Sequence, residues 1–392
     1  MKSFEPKSLC ILGRQPALGL AELESLYGPE HLQPLSGACL LDIPAEEINF
    51  QRLGGTIKVA RLLNVLPTSQ WVDVEAYLVD KIPEHLKYVA EGKFTLGLSA
   101  YGLGSPAQIN QSALRIKKLI RSSGRPVRVV PNKTAALSSA QVLHNRLTHK
   151  GAWELLAVAN NGQTYLAQTL FVQDIEAYGA RDQARPKRDA RVGMLPPKLA
   201  QIIINLAKPA AGATVLDPFC GSGVVLQEAL LMGYGVIGSD VEPRMVGFAR
   251  QNLAWLVAKF SVPGAKFEIL QADATNHKWS AFDSLASETY LGRALGALPD
   301  PAKLRAISQD VDTILTKFLR NLAPQLKRGQ RASLAVPAWQ ISAGDFKHLP
   351  LLEKLPQLGY NRLSFVHTKP AELIYFREGQ IVARELLTLA RK

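Results

Sequence analysis

The stretch Val215-Leu-Asp-Pro-Phe-Cys-Gly-Ser-Gly223 decides the fold that we predict for this chain. Val215 and Leu216 have the apolar character of a buried strand, and Asp217 followed by proline ends that strand. The apolar runs after Gly223 predict a helix that lies on the sheet. A glycine loop between a strand and a helix of an open α/β sheet marks a ligand site at the carboxyl edge of the strands.

The spacing of the glycines limits which ligand this loop binds. A dinucleotide-binding loop has a third glycine three positions after the second, and here that position is Leu226. The next predicted strand ends in Asp240, about 20 residues past Gly221, which is the separation typical of a carboxylate that binds ribose hydroxyls. The following strand is succeeded by Asp273. Three acidic strand ends around one glycine loop suit a ligand with a ribose, an adenine amino group and a positive charge, such as S-adenosylmethionine.

This ordered set of motifs resembles the class I S-adenosylmethionine methyltransferases. The run Gly193-Met-Leu-Pro-Pro-Lys-Leu-Ala200, preceded by Arg181-Asp182 and Arg185-Pro186, is similar to a segment of the THUMP-containing tRNA guanosine N2-methyltransferases, which act on guanosine 10 of tRNA. The resemblance covers the C-terminal half well and the N-terminal half loosely. It implies an α/β fold, with a Rossmann-like class I methyltransferase domain whose mostly parallel seven-stranded sheet ends in an antiparallel hairpin. An α+β THUMP-like RNA-binding region is expected to precede that domain.

The resemblance also implies which residues bind the cofactor, S-adenosyl-L-methionine. We expect Asp240 to bind the ribose, and the backbone of residues 221–223 to lie beneath the methionine moiety. Asp273 and Ala274 are expected beside the adenine amino group. The full set of predicted cofactor-binding residues is Asp217, Phe219, Gly221, Gly223, Asp240, Asp273, Ala274 and, at the rim of the pocket, Pro196 and Pro197.

The catalytic residues are expected at a second strand end, around Tyr290. Methylating an exocyclic amine requires that the nitrogen be held in line with the methyl donor and that its proton be accepted. Related amino-methyltransferases have Asp or Asn, two prolines and an aromatic residue there, whereas this chain has Ser287, Glu288, Thr289 and Tyr290. We predict Glu288 as the displaced acceptor or base, Tyr290 as the ring that stacks on the base, and Ser287 in the acidic position. The alternative is that Glu288 is a solvated loop acid and the site has lost activity.

Composition and charge set the class of protein and its partners. The 392 residues predict two or three domains, and no apolar run or signal-peptide core predicts a membrane segment. Cys10, Cys39 and Cys220 are scattered, which favours the cytoplasm, and no Cys/His spacing indicates a metal. A net charge of +13, concentrated between residues 110 and 200, favours a polyanionic partner over a merely solvated surface.

The expected partner is tRNA, with an accessory protein subunit left open. The basic residues that we predict to bind RNA are Lys117, Lys118, Arg121, Arg146, Arg181, Arg185, Lys187 and Arg188.

Four segments are predicted. They are an N-terminal ferredoxin-like domain (1–70), a THUMP-like RNA-binding domain (71–173), a basic linker without regular structure (174–193) and the methyltransferase domain (194–392). Within these segments we predict helices over 49–61, near 82–91 and near 346–357, a strand over 363–367, and a hairpin formed by 372–377 and 381–387.

Two other functions remain open at this level. A DNA amino-methyltransferase acting on adenine or cytosine would use the same glycine loop and tyrosine. An RNA-binding protein with a relic methyltransferase domain is compatible with the altered residues 287–290.

Overall fold

The computed structural model describes residues 4–89, 91–188 and 194–392. The strands and helices before residue 184 are, in chain order, β1 (Ser8–Leu12), α1 (Pro16–Tyr27), β2 (Leu32–Leu35), β3 (Ala38–Leu41), β4 (Thr56–Leu66), α2 (Trp71–His85), β5 (Phe94–Tyr101), α3 (Pro106–Ser122), β6 (Val127–Val129), α4 (Ser139–His144), β7 (Ala152–Asn160), β8 (Gln163–Val172) and α5 (Ile175–Gln183). Those that follow are α6 (Pro197–Ala207), β9 (Thr214–Asp217), α7 (Val224–Leu231), β10 (Gly235–Asp240), α8 (Pro243–Phe260), β11 (Phe267–Gln271), β12 (Ser284–Glu288), α9 (Pro301–Leu322), β13 (Arg331–Ser342), β14 (Asp345–Lys347), α10 (Leu351–Lys354), β15 (Tyr360–Arg362), β16 (Ile374–Tyr375) and β17 (Val382–Arg391).

The chain divides into two compact units that do not follow the predicted boundary at residue 70. The first unit comprises Met1–Pro16, Glu30–Gln51 and Thr56–Ala177. The second comprises Ala17–Pro29, Arg52–Gly55 and Tyr178–Lys392. Most of helix α1 therefore belongs to the second unit, although it lies near the start of the sequence.

The first unit is built on one eight-stranded sheet with the order β2-β3-β1-β4-β8-β7-β5-β6. Strands from both of the predicted N-terminal domains share this sheet, because β4 pairs antiparallel with β8 along most of its length. Helices α2 and α3 pack over β5 and bury one apolar cluster that includes Trp71, Phe94 and Ile116. Ser105 begins α3 with a capping box, in which its hydroxyl accepts from the Gln108 amide.

Three predicted elements of the first unit differ from the structure. Residues 49–61 are predicted to be helical, but only the single turn Phe50–Arg52 is, and β4 begins at Thr56. The pairing of β4 with two neighbouring strands outweighs the helical spacing of its apolar residues. The helix expected near 82–91 is α2, which begins earlier, at Trp71. The predicted linker contains α5, and its residues 189–193 lie outside the described residues.

The second unit contains a sheet whose main path is β11-β10-β9-β12-β13-β17-β15. The first five strands are parallel, whereas β17 runs antiparallel to both β13 and β15. The short strands β14 and β16 pair with β13 and β17 at the side of this path. The predicted mostly parallel sheet with an antiparallel end is thus confirmed, and β16 and β17 form the predicted pairing. The sheet has nine strands where seven were predicted, because β14 and β16 are added beside the seven of the main path.

Helices cover both faces of this sheet. Val215 and Leu216 are neighbours on β9 and therefore point to opposite faces. Val215 belongs to an apolar cluster with α6, α7 and α8, and Leu216 to a second cluster with α9. The helix predicted near 346–357 is reduced to α10, since residues 345–347 form β14. Residues 363–367 are not a strand.

The chain order reverses at β9, which lies between β10 and β12. In an open α/β sheet, the loops that leave the two strands at such a point diverge and leave a crevice at the carboxyl edge. The glycine loop after β9 and the residues after β12 both lie at this point.

Candidate active site

A cavity of about 710 Å³ opens at this carboxyl edge. Its wall includes the end of β9 with the glycine loop, the ends of β10 and β12, and the loop after β11. Helix α9 and the residues before α6 complete the lining. The predicted site residues that line the cavity are Asp217, Phe219, Gly221, Asp240, Asp273, Ala274, Glu288 and Tyr290.

The glycine loop has the backbone conformation that its sequence predicts. Gly221 and Gly223 have φ angles of 51° and 87°, in the left-handed region that favours glycine. A Cβ atom at Gly221 would meet nothing within 4 Å and would project into open space beside the cavity. A Cβ atom at Gly223 would lie 3.0 Å from Leu253, so this glycine allows the start of α7 to pack against α8. Gly223 does not line the cavity, and its part in cofactor binding stays a prediction.

Asp240 is fixed to the glycine loop by its carboxylate. Its Oδ2 accepts from the Gly221 amide at 2.9 Å, and its Oδ1 accepts from the Glu242 amide at 2.9 Å. Burial raises the pKa of Asp240, and these two backbone hydrogen bonds oppose the rise. The carboxylate is thus held at the cavity wall where we predicted the ribose.

Asp217 lies deeper, at the end of β9, and is only 2% exposed. Its Oδ1 accepts from the Ser287 hydroxyl at 2.6 Å and from the Phe219 amide at 3.2 Å. Burial raises the pKa of Asp217 to about 7, although these two hydrogen bonds lower it. The nearby carboxylates of Asp240 and Glu288 raise it further.

Ser287 does not occupy the position that we predicted for it. It is fully buried and does not line the cavity, because its neighbour Glu288 points towards the cavity and adjacent strand residues point to opposite faces. Its hydroxyl supports Asp217 from behind. Ser287 therefore holds Asp217 and does not line the cavity, and its catalytic role stays a prediction.

Glu288 is an ion-paired carboxylate at the end of β12 and not a solvated loop acid. The Nε atom of Arg384, on β17, donates to Glu288 Oε1 at 2.8 Å. The side chains of Glu288 and Arg384 are 17% and 5% exposed. Burial raises the pKa of Glu288, and the guanidinium opposes the rise.

The remaining predicted site residues differ in their surroundings. Tyr290 is 39% exposed at the cavity edge, so its ring is accessible. The Asp273 carboxylate accepts from the amide and hydroxyl of Thr275, both at 2.8 Å. Phe219 packs edge-on against Phe318, with ring centroids 4.9 Å apart.

The two prolines before α6 do not line the cavity, contrary to our prediction. Pro196 is the N-cap residue of α6 and Pro197 is its first residue, a position that suits proline because no amide donor is needed there. The rim at this side consists of Met194 and Leu195. The prolines therefore start the helix, and the two residues before them shape the cavity.

The predicted RNA-binding residues fall into two groups. Arg181 and Arg185 are internal: Arg181 pairs with Glu228 at 2.8 Å and is 14% exposed, and Arg185 is 3% exposed beside Asp182. Both guanidinium groups therefore have an internal carboxylate partner and little exposed surface, and their binding of RNA stays a prediction. The surface group consists of Lys117, Lys118, Arg121, Arg146, Lys187 and Arg188, each partly or fully exposed.

Several residues of the cavity region were missed from the sequence, among them the following three. Lys317 on α9 and Met194 line the cavity, and Arg384 pairs with Glu288. Arg384 lies 96 positions after Glu288 in the chain, and no motif links the two. The spacing of the apolar residues on α9 places Lys317 on the polar side of the helix, but it does not indicate that this side faces the cavity.

A second cavity, of about 190 Å³, lies in the first unit between α2 and the sheet. It is lined mostly by apolar side chains, among them Trp71 and Trp153, and its described lining residues include no carboxylate. The predicted acidic site residues Asp217, Asp240, Asp273 and Glu288 all line the larger cavity.

The strand order, the glycine loop and the cavity at the reversal point define a Rossmann-like methyltransferase fold in the second unit. Residues 185–334 match the model of the UPF0020 family, described as an RMKL-like methyltransferase domain. The matched segment is less than half of the chain and includes the glycine loop and the end of β12.

Relatives of known sequence and structure extend this finding. The chain is 38% identical over 125 residues to a tRNA (guanine(10)-N2)-dimethyltransferase of Methanothermobacter thermautotrophicus, over 31% of this chain and 34% of that protein. It is 27% identical over 187 residues to a protein of the same name from Pyrococcus abyssi, over 47% of this chain and 50% of that protein. The matches thus span between a third and a half of these relatives. TrmN from Thermus thermophilus has a similar fold, with a TM-score of 0.53, 18% identity, and coverage of 98% of this chain and 99% of that one.

Membrane-spanning helices and metal clusters are both absent from the residues that the structure describes. None of the helices there combines the length and the apolar character that crossing a membrane requires. Over the same ranges, His, Cys, Asp and Glu side chains form no group of three or more arranged to hold a metal ion.

Proposed function

We propose that this protein transfers a methyl group from S-adenosyl-L-methionine to the exocyclic N2 amine of a guanosine in tRNA, at position 10. The observation that carries the proposal is that the glycine loop and the Glu288–Tyr290 strand end line one cavity. The names of the relatives favour tRNA guanine as the substrate.

The residues of the cavity suit S-adenosyl-L-methionine. Its volume of about 710 Å³ lies within the range of about 300–1,000 Å³ typical of small-molecule sites. Asp240 presents an anchored carboxylate to the ribose hydroxyls, and Gly221 leaves the space that a side chain would fill. Asp217 and Asp273 add the acidic groups for a cationic methionine moiety and an adenine amino group. Phe219 and Ala274 supply apolar surface.

The residues at the end of β12 would handle the base. When bound, the cofactor supplies an electrophilic methyl group, and the overall products are N2-methylguanosine, S-adenosylhomocysteine and a proton. The ring of Tyr290 is exposed enough to stack on guanine, which would hold the amine in line. Glu288 would accept the proton that the amine loses as its nitrogen forms the new bond to carbon.

The first unit is the proposed RNA-binding module. Helix α3 carries Lys117, Lys118 and Arg121 on its polar side, and Arg146 is exposed after α4. These cations would bind phosphates, a sequence-independent contribution that depends on salt. Lys187 and Arg188 form a second basic pair ahead of the methyltransferase domain. The enzyme would then work in the cytoplasm, where tRNA is available, and an accessory subunit stays an open part of the proposal.

The test is to incubate the purified protein with labelled S-adenosylmethionine and unmodified total tRNA, then digest the RNA and identify the nucleosides by mass spectrometry. We expect N2-methylguanosine or its dimethyl form. A transcript with adenosine in place of guanosine 10 is the matched control and should not be labelled. A different methylated nucleoside would overturn the target base. Label in duplex DNA but not in tRNA would overturn the substrate class, and no label with cofactor bound would contradict an active enzyme.

A further inference from the structure

Arg384 is a buried cation that contacts Glu288 in the cavity wall, and neither the sequence motifs nor the relatives assign it a role. It lies on β17, the antiparallel strand, whereas Glu288 lies on the parallel strand β12. The two side chains meet across the intervening strand β13 at 2.8 Å.

The register of the three strands explains how this contact forms. Glu288 pairs with Ala335, and Arg384 pairs with Pro337, two residues further along β13. Ala335 and Leu386 belong to the apolar cluster on the α6 face of the sheet. Glu288 is paired with Ala335, and Arg384 is two residues from Leu386, so both side chains lie on that face too. Beside Glu288 on this face, β13 presents only the methyl group of Ala335, which leaves room for the guanidinium to cross.

We propose that Arg384 is a positioning residue that keeps Glu288 ionised and directed at the substrate amine. This inference rests on the proposed function, because it names the residue that prepares the proton acceptor of that reaction. A carboxylate can accept a proton only while it is ionised, and burial without a cation favours its protonated form. The contact to Nε also fixes the side chain, since a paired carboxylate loses the freedom to rotate away from the cavity.

The surroundings of Glu288 make this cation necessary. Acids outnumber bases at the cavity, and they would repel the ionised form of Glu288. The charged groups that face the cavity with Glu288 are Asp217 on β9, Asp240 on β10, Glu242 and Arg244 at the start of α8, Asp273 after β11 and Lys317 on α9. Among the residues that the structure describes, Arg384 is the cation in direct contact with Glu288, and its side chain is 5% exposed.

The test compares Arg384→Met with Arg384→Lys in the full-length protein. Removing the cation should raise the pKa of Glu288, so methylation of tRNA at pH 7 should fall about tenfold to a hundredfold. The acidic limb of the pH–rate profile should move to higher pH, and raising the pH should restore part of the rate. Arg384→Lys keeps the charge and should retain most of the activity. Binding of S-adenosylhomocysteine, measured by calorimetry, should change little in either variant.

A matched control comes from the same sheet. Arg362 pairs with Glu385, the residue next to Arg384, at 3.0 Å. Arg362→Met therefore removes an arginine–glutamate pair of the same sheet without touching Glu288, and its pH–rate profile should match that of the unaltered protein. An equal shift in this control would overturn the proposal. Arg384→Met could fold poorly because it leaves the Glu288 carboxylate without a partner. The double variant Glu288→Gln, Arg384→Met removes both charges, and recovery of its folding stability would identify the unpaired carboxylate as the cause.

Carbon NMR of glutamate-labelled protein separates this inference from the proposed function. The Glu288 carboxyl signal is identified by its absence in Glu288→Gln, and its titration midpoint is read with and without Arg384. We expect the midpoint to rise in Arg384→Met. An unchanged midpoint would overturn the inference, even if tRNA is methylated. A raised midpoint in a protein that methylates no tRNA would leave the electrostatic pairing intact and overturn the proposed reaction.

Discussion

The buried carboxyl group of Asp217 predicts a pH-dependent stability that one substitution should remove. Burial raises the pKa of Asp217 from 3.8 to about 7. Since the folded-state pKa lies above the unfolded-state value, the native state binds the proton more tightly. The corresponding stability is fully present below about pH 3.8 and is lost as the pH rises through 7. Above pH 7, the ionised carboxylate therefore lowers the free energy of unfolding.

The size of this effect follows from the shift. A difference of roughly three pKa units, at 1.36 kcal/mol for each, gives about 4 kcal/mol above pH 7. Between pH 5 and pH 8 the contribution of Asp217 to the free energy of unfolding falls by about 2 to 3 kcal/mol, because part of the total decrease occurs below pH 5. Asp217→Asn keeps the oxygen that accepts from Ser287 and Phe219 but cannot ionise. The variant should gain stability over the unaltered protein, and the gain should be larger at pH 8.

Urea unfolding of both proteins at pH 5 and pH 8 measures this difference. The other buried acids, such as Glu22 and Glu228, are the same in both proteins and cancel when the two are compared at one pH. Asp345→Asn, at an exposed position of β14, shows the effect of removing a carboxylate without burial. A stability difference between Asp217→Asn and the unaltered protein that does not grow from pH 5 to pH 8 would refute the reasoning.

Three further predictions follow from the site, the basic surface and the core of the first unit. Glu288→Gln should lower the turnover of tRNA methylation by about a hundredfold, with S-adenosylhomocysteine affinity nearly unchanged; full activity would remove Glu288 from the mechanism. Charge reversal on α3 should weaken tRNA binding and flatten its dependence on salt, measured by filter binding at several salt concentrations, and unchanged binding would count against this surface. The α3 residues reversed are Lys117, Lys118 and Arg121. Lys58 and Glu154 form a buried ion pair. Lys58→Met should lower the free energy of unfolding by about 3–5 kcal/mol, because it leaves the Glu154 carboxylate buried without a partner. The double variant Lys58→Met, Glu154→Leu should recover most of that loss, as measured by urea unfolding.

The sequence predicts the second unit better than the first. Parallel strands of an α/β sheet are short apolar runs that end at polar residues, so the sequence alone assigns Asp217, Asp240 and Asp273 to one sheet edge. The first unit gives weaker signals because its sheet pairs distant segments. The last six residues of the helix predicted over 49–61 belong to strand β4. The apolar residues there fit both the helical and the strand spacing, and only pairing with β1 and β8 decides between them.

Exposure is the property that the sequence predicts least well. Arg181 and Arg185 are in a run rich in charge and proline, which predicts a solvated linker, yet Glu228 and Asp182 hold them inside the unit. Glu228 lies on α7, in the middle of an apolar run. The sequence of α7 does not identify Arg181 as the partner of Glu228. A buried acid on a helix implies that a cation lies nearby, but not which residue supplies it.

At strand β12, a residue whose position the sequence predicts, Glu288, meets one whose position it does not predict, Arg384. Topology alone brings Glu288 close to the glycine loop, because β12 is the neighbour of β9 on the side where the chain order reverses. The cation that pairs with Glu288 arrives by a different route, since β17 inserts antiparallel beside β13 and its register against Pro337 fixes where Arg384 points. The predicted hairpin of 372–377 and 381–387 identifies the strand but not its neighbour in the sheet. A one-residue slip of β17 would turn Glu385 towards the cavity in place of Arg384. The charge at the proposed proton acceptor therefore depends on the register of the last strand, which is why the methyltransferase motifs alone could not predict it.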